Sequence, residues 1–115
     1  MNPMGSHQRK APLLVDALPA LANELAQLLN KARRPDLAAQ VPELRIVDRC
    51  NCEDDFCATF YTQPKPIGSY GPGLSCLELE PDQGMVILDV VSGRIATVEV
   101  LYRDEVRRAL REAVP

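Results

Sequence analysis

The stretch that most constrains this chain is a β-hairpin written into residues 85–102. Two apolar runs, 85–91 and 94–102, flank the dipeptide Ser92-Gly93. A two-residue turn between β-forming runs specifies an antiparallel pairing and its register together. Regular pairing about that turn sets Val90 opposite Ile95, Leu88 opposite Thr97 and Val86 opposite Glu99. The other face then holds Met85, Ile87, Ala96, Val98 and Val100, with Asp89 near the turn and on the opposite side of the sheet from Glu99. Both faces read as largely apolar, so each requires a cover.

Helical periodicity on either side of the hairpin supplies candidate covers. In residues 104–114, Val106, Ala109, Leu110 and Ala113 share one face while Arg107, Arg108 and Arg111 look outward. Asp104 precedes Arg108 by four, the spacing of a helical ion pair contributing about 0.3–0.5 kcal/mol. Near the start, Leu14, Leu18, Leu21, Leu25, Leu28 and Ala32 form one stripe, predicting a helix over 17–33. Asp16 serves as its N-cap and Pro19 falls in the first turn, where its missing N–H has no intrahelical partner. An earlier start after Pro12, with a kink at Pro19, is the alternative. Pro35 ends the helix, and residues 36–41 form one further turn closed by Pro42.

Between the helices the period changes to two. Residues 44–52 and 56–62 read as strands joined by an acidic turn at 53–55, and 74–80 as a third strand ended by 81–84. Residues 63–73, with Pro64, Pro66, Gly68, Gly71, Pro72 and Gly73, form a loop. The expected fold is therefore α+β: an antiparallel sheet of about five strands with an N-terminal and a C-terminal helix. Residues 11–115 make one domain and 1–10 a flexible tail, in which Met4-Gly-Ser-His7 resembles a fragment of an expression tag. Should both helices lie on one sheet face, the other becomes a subunit interface, and a homodimer follows.

A chain of 115 residues that is 46% hydrophobic and 25% charged can bury a substantial core. That composition excludes wholesale disorder and collagen-like order. The net charge of −3 and a pI near 5.1 argue against a nucleic-acid partner. The leucine-rich start is interrupted by Asp16, Pro19, Asn23 and Glu24, which breaks a secretory apolar run. No stretch approaches the roughly 18 apolar residues of a membrane span. The expectation is a cytoplasmic protein with no membrane partner, in which Cys50, Cys52, Cys57 and Cys76 are reduced.

The segment Arg-Cys-Asn-Cys-Glu-Asp-Asp-Phe-Cys at 49–57 is the most unusual in the chain. Thiolates hold zinc tetrahedrally at about 2.3 Å, so Cys50, Cys52, Cys57 and Cys76 would have to converge on one point. In a regular strand Cys50 and Cys52 stand about 6.7 Å apart along one face, too far to chelate without a bend. Reduced structural thiols are therefore favoured, with no cofactor; a zinc-stabilised domain using all four cysteines and a thiol-dependent enzyme are the alternatives. A cysteine nucleophile usually draws on a histidine base, and His7 in the tail is the only histidine. No catalytic residue is assigned.

Other polar groups read as structural. Glu78 and Glu80 share one solvated face; Asp89, an acid flanked by Leu88 and Val90, is the exception worth keeping, its structural alternative being an acceptor of hydrogen bonds at the Ser92-Gly93 turn. Gly68-Ser-Tyr-Gly-Pro-Gly73 lacks the Lys-Ser/Thr ending and following helix of a phosphate loop. Long loops between strands are nonetheless where partners are met. Phe60, Tyr61, Ile67 and Tyr70 are the candidate exposed contacts. The acidic middle of the chain, Asp54 and Asp55 included, suits an electropositive partner.

The run Gly84-Met-Val-Ile-Leu-Asp89, Ser-Gly-Arg-Ile95, Val98-Glu-Val-Leu101 and Asp104-Glu-Val-Arg-Arg-Ala-Leu110 resembles small bacterial proteins of uncharacterised function. In them a strand, a glycine turn and a second strand precede a short helix. Residues 50–62 likewise resemble cysteine-bearing hairpins of bacterial proteins without known activity. The resemblance implies a bacterial origin and carries over no catalytic residue. The functional expectation is a non-enzymatic protein-binding module, an immunity- or antitoxin-like partner being one form of it.

Overall fold

In the computed structural model, residues 11–66, 68 and 70–115 are described; the tail 1–10 with its tag-like motif, Ile67 and Ser69 lie outside the described residues. Helix α1 spans Leu14–Ala17 and α2 Pro19–Lys31. The two are separate because Leu18, immediately before Pro19, leaves the helical region (φ −136°, ψ 65°). The proline ring disfavours a helical conformation in the residue before it. Helix formation thus begins earlier than Asp16, which makes no cap, and breaks at Pro19, the alternative reading of this segment. After α2 the chain reverses through Arg33 in the left-handed region (φ 62°). It then forms the single turn α3 (Pro35–Ala38) and a 3₁₀ turn at Val41–Glu43, which contains Pro42 rather than ending before it.

Five strands follow: β1 (Asp48–Arg49), β2 (Phe60–Tyr61), β3 (Leu74–Leu79), β4 (Met85–Val91) and β5 (Arg94–Leu101), then α4 (Asp104–Ala113). They form one antiparallel sheet in the order β1-β2-β5-β4-β3. The fold is α+β, as the element order predicts. The first two strands are much shorter than expected. Residues 44–46 spend their hydrogen bonds on the N-terminal segment instead, with Ile46 N–H donating to Pro12 O and Leu14 N–H to Leu44 O, and only from Val47, whose N–H donates to Tyr61 O, does the chain turn to β2. Residues 56–59 still run beside β5, since Ala58 N–H reaches Val100 O and Tyr102 N–H reaches Phe56 O.

The hairpin turn is as expected, with both Ser92 (φ 51°) and Gly93 (φ 81°) left-handed, as a tight antiparallel connection demands. The register beyond it differs. Val90 faces Ile95, but Asp89 faces Thr97, which leaves Ala96 as an extra residue in β5. This β-bulge shifts every later pair: Leu88 meets Val98, Ile87 meets Glu99 and Val86 meets Val100. The faces are consequently sorted. Val86, Leu88, Val90, Ile95, Val98 and Val100 point one way and join Phe60 and Leu79.

Both helical regions pack on that same face. Leu14, Leu18, Leu21, Leu25 and Leu29 from the N-terminal helices and Val106 and Leu110 from α4 belong to one continuous core. The expectation of two covered apolar faces is corrected: the bulge gives one face to the core. Two details of α4 also differ. The described ion pairs are Arg34–Asp36, Arg103–Glu24 and Arg103–Glu105, and do not include Asp104–Arg108. Arg111 turns back to donate to Cys52 O (3.4 Å), and Arg107 Nε is buried, so these two do not simply face solvent.

Because Leu88 sits in the core and Ile87 on the opposite side, their truncations should differ sharply. Leu88→Ala is expected to cost about 2–5 kcal/mol in urea unfolding. Ile87→Ala should cost about 1 kcal/mol or less, the order of a partly buried methylene or two.

Candidate functional site

The register lays out the helix-free face of the sheet in rows, because directly paired residues share a face. One row crosses all five strands: Asp48, Tyr61, Thr97, Asp89 and Cys76. The next contains Glu99, Ile87 and Glu78, and a third Leu101 and Met85, continued by Cys57 through its bridge to Leu101. Glu99 and Asp89 therefore share a face, contrary to the regular pairing, and the bulge at Ala96 is the reason. Leu74 on this face is 40% exposed, while Met85, Ile87, Val91 and Leu101 are half-buried.

The Pro/Gly loop returns to this face. The Tyr70 hydroxyl lies 2.8 Å from Thr97 Oγ1, and Thr97 is buried. Tyr61 is half-buried beside it, with the Lys65 ammonium 5.0 Å from its ring centroid, a cation–π distance. Burial first, then the charges of Cys50, Tyr70, Asp48 and Cys57, hold the Tyr61 phenol above its ordinary value. Phe60 does not join this set. It faces Val98 on the core side and is fully buried, since alternation along β2 must send one of the two aromatics inward. Asp54 and Asp55 are exposed in the turn before Cys57, and Ile67 lies outside the described residues.

One aromatic pair escapes the sequence reading. Phe56 and Tyr102 stack with ring centroids 5.2 Å apart, and both are exposed. The continued β2–β5 pairing brings them together, and that register is not readable before the strands are placed.

At the β1–β2 corner the cysteines gather. Cys50 N–H still donates to Thr59 O (2.9 Å), after which the chain leaves regular strand geometry. Cys52 N–H turns back to donate to Cys50 Sγ at 3.4 Å, and Cys57 N–H closes the acidic turn on Asp54 O. The Sγ atoms of Cys50, Cys52 and Cys57 consequently lie within 4.8 Å of one another, each residue half-buried. The strand-based separation of Cys50 and Cys52 is corrected here, because β1 ends at Arg49 and the bend follows at once.

Cys76 stands apart. It lies on β3 at the opposite edge of the sheet, where its thiol meets Asp89 Oδ1 at 3.2 Å. The four-cysteine convergence is therefore not formed, because β5 and β4 separate Cys76 from the corner.

The thiols differ electrostatically. Burial acts to raise Cys57, but the hydroxyl and backbone N–H of Thr59, with the Cys52 and Cys50 thiols, outweigh it and bring Cys57 below an ordinary thiol. Cys52, hydrogen-bonded to Cys50 and then Cys57, is pushed up to about 11. The Asp89 hydrogen bond, then burial and the charges of Asp89 and Glu99, raise Cys76. Two guanidinium groups hold the loop backbone: Arg49 donates to Cys50 O (3.2 Å) and Val114 O (2.5 Å), and Arg111 to Cys52 O.

A polar cleft of about 380 Å³ lies elsewhere, lined by Glu24, Lys31, Glu80, Asp82 and Arg103 among others. Its central cation is already committed: Arg103 bonds both Glu24 carboxylate oxygens (2.9 and 2.8 Å) and Glu105 (2.7 Å). This cluster ties α2 to the start of α4. Comparison with known protein families, curated proteins and solved structures gives no match to this chain.

The order of the thiols is measurable. In reduced, metal-free protein, Cys57 should be carboxymethylated by iodoacetate faster than Cys52 and Cys76 between about pH 7 and 8, where its thiolate fraction exceeds theirs. Site-resolved mass spectrometry showing Cys52 or Cys76 modified first would contradict the network described.

Proposed function

We propose that this chain is a protein-binding module and that the helix-free face of the sheet is its working surface. The observation that carries this reading is the one-sided packing of the fold: both helical regions and the continuous core lie on one face. The other face offers Leu74, Met85, Ile87, Val91 and Leu101 among Asp48, Glu78, Asp89 and Glu99. Apolar area supplies the driving force for association, while charge selects the partner and speeds encounter. Four carboxylates against Lys65 and Arg94 make the face acidic. The partner is therefore a protein whose contact surface is basic around an apolar centre. An acidic face of this kind suits capping the basic site of a nucleic-acid-processing enzyme, which is the chemistry of an immunity or antitoxin role. The same charge disfavours a second copy placed face to face, where like charges would meet.

The test compares wild type with Ile87→Arg/Glu99→Lys, a pair confined to this face, after far-UV circular dichroism shows both folded. Affinity capture from the source cells with chemical cross-linking should give a stoichiometric partner cross-linked near β4 and β5. That partner should be lost with the double variant and weakened by salt. A partner retained equally by the variant, or cross-linked only through α2 and α4, would refute this surface.

A further inference from the structure

We infer that Cys50, Cys52 and Cys57 form a three-thiolate site for a thiophilic divalent cation, with Zn²⁺ as the test case, whose fourth position is open to solvent. The site goes beyond the binding role of the sheet face and does not depend on it. Tetrahedral zinc with bonds of about 2.3 Å requires sulfurs about 3.8 Å apart. The three Sγ atoms already lie within 4.8 Å of one another, so side-chain adjustments of about an ångström bring them to bonding separation. Thiolates are the donor type that selects zinc and other soft or borderline metals over magnesium or calcium.

The surroundings suit such a site. Cys52 N–H already points at Cys50 Sγ, the outer-shell hydrogen bond that orients a metal-bound sulfur and moderates its charge. The Thr59 hydroxyl lies 3.4 Å from Cys57 Sγ and can donate to it. Three thiolates around a doubly charged ion carry net negative charge. Arg49 and Arg111, fixed on the Cys50 and Cys52 carbonyls, place two positive charges against that loop. The arrangement also assigns the coordination number. Cys76 is held at the far edge by Asp89, and no fourth side chain belongs to the cluster among the described residues. Half-burial leaves the fourth position to water or an exchangeable donor, the ligand count of an open zinc site rather than a closed one.

The experiment uses the full chain, reduced and stripped of metal by a chelator. It is titrated with Co²⁺, read by thiolate-to-cobalt charge-transfer and tetrahedral d–d absorption, and then with Zn²⁺ against a chromophoric chelator. The expected result is one equivalent per chain, with zinc displacing cobalt. Binding should be lost in Cys50→Ser, Cys52→Ser and Cys57→Ser and kept in Cys76→Ser, each variant being folded by circular dichroism. Failure to saturate at one equivalent, binding that survives any of the three substitutions, or binding lost with Cys76→Ser would overturn the assignment. A serine variant that does not fold is replaced by the corresponding alanine, read by the same criteria.

Discussion

One extra residue in β5 decides the character of the whole sheet. Without the bulge at Ala96, Glu99 would share a face with Val86 and Leu88, and a carboxylate would enter the core. Burying an unpaired charge costs several kcal/mol, far more than a local distortion of the ladder. With the bulge, apolar residues meet apolar residues across β4 and β5, and the acids move together to the other side. The polar groups released by the distortion find partners. Thr62 N–H bonds Ala96 O, the Thr62 hydroxyl and Gln63 donate to Ile95 O, and Gln40 bridges Gly93 O and Ile95 N–H. These groups come from the loop after β2 and from the turn after α3, so the helical half and the sheet jointly hold the bulge.

The same division of faces organises what can be functional. Both helical regions compete for one apolar surface, and Arg103 joins them through paired bonds to Glu24 and a third to Glu105. An ion pair this sheltered fixes geometry more than it adds stability. The opposite face keeps its carboxylates, its half-buried aliphatics and, at one corner, three thiols. The proposed partner surface and the proposed metal corner thus share one side of a small domain whose other side is committed to folding.

Much of this architecture was legible in the chain. The turn at Ser92-Gly93, the bounds of β4 and a helix starting at Asp104, expected to 114 and ending at Ala113, follow from local chemistry: a glycine in a tight turn, β-branched runs, and apolar residues at helical spacing. What stayed hidden was non-local. The bulge is stabilised by Thr62, Gln63 and Gln40, which lie more than thirty residues from Ile95, so no local pattern reveals it. The short β1 and β2 reflect pairing of residues 44–46 with the N-terminal segment, again a long-range choice. The thiol corner was half visible. The unusual spacing marked the segment, but assuming a regular strand separated Cys50 from Cys52, whereas the chain bends just after Arg49. Cys76 shares only its residue type with the other three, and the strand order separates it from them.

The central claim is that the bulge leaves one sheet face covered by the core and the other accessible outside the patch where the Tyr70 loop meets Thr97. Methyl-resolved NMR with a soluble paramagnetic agent tests it most directly. The account predicts strong broadening of the Met85, Ile87, Val91 and Leu101 methyls, and protection of those of Val86, Leu88, Val98 and Val100. Equal protection of both sets would mean that something covers each face, and the sorting by Ala96 would no longer explain the molecule.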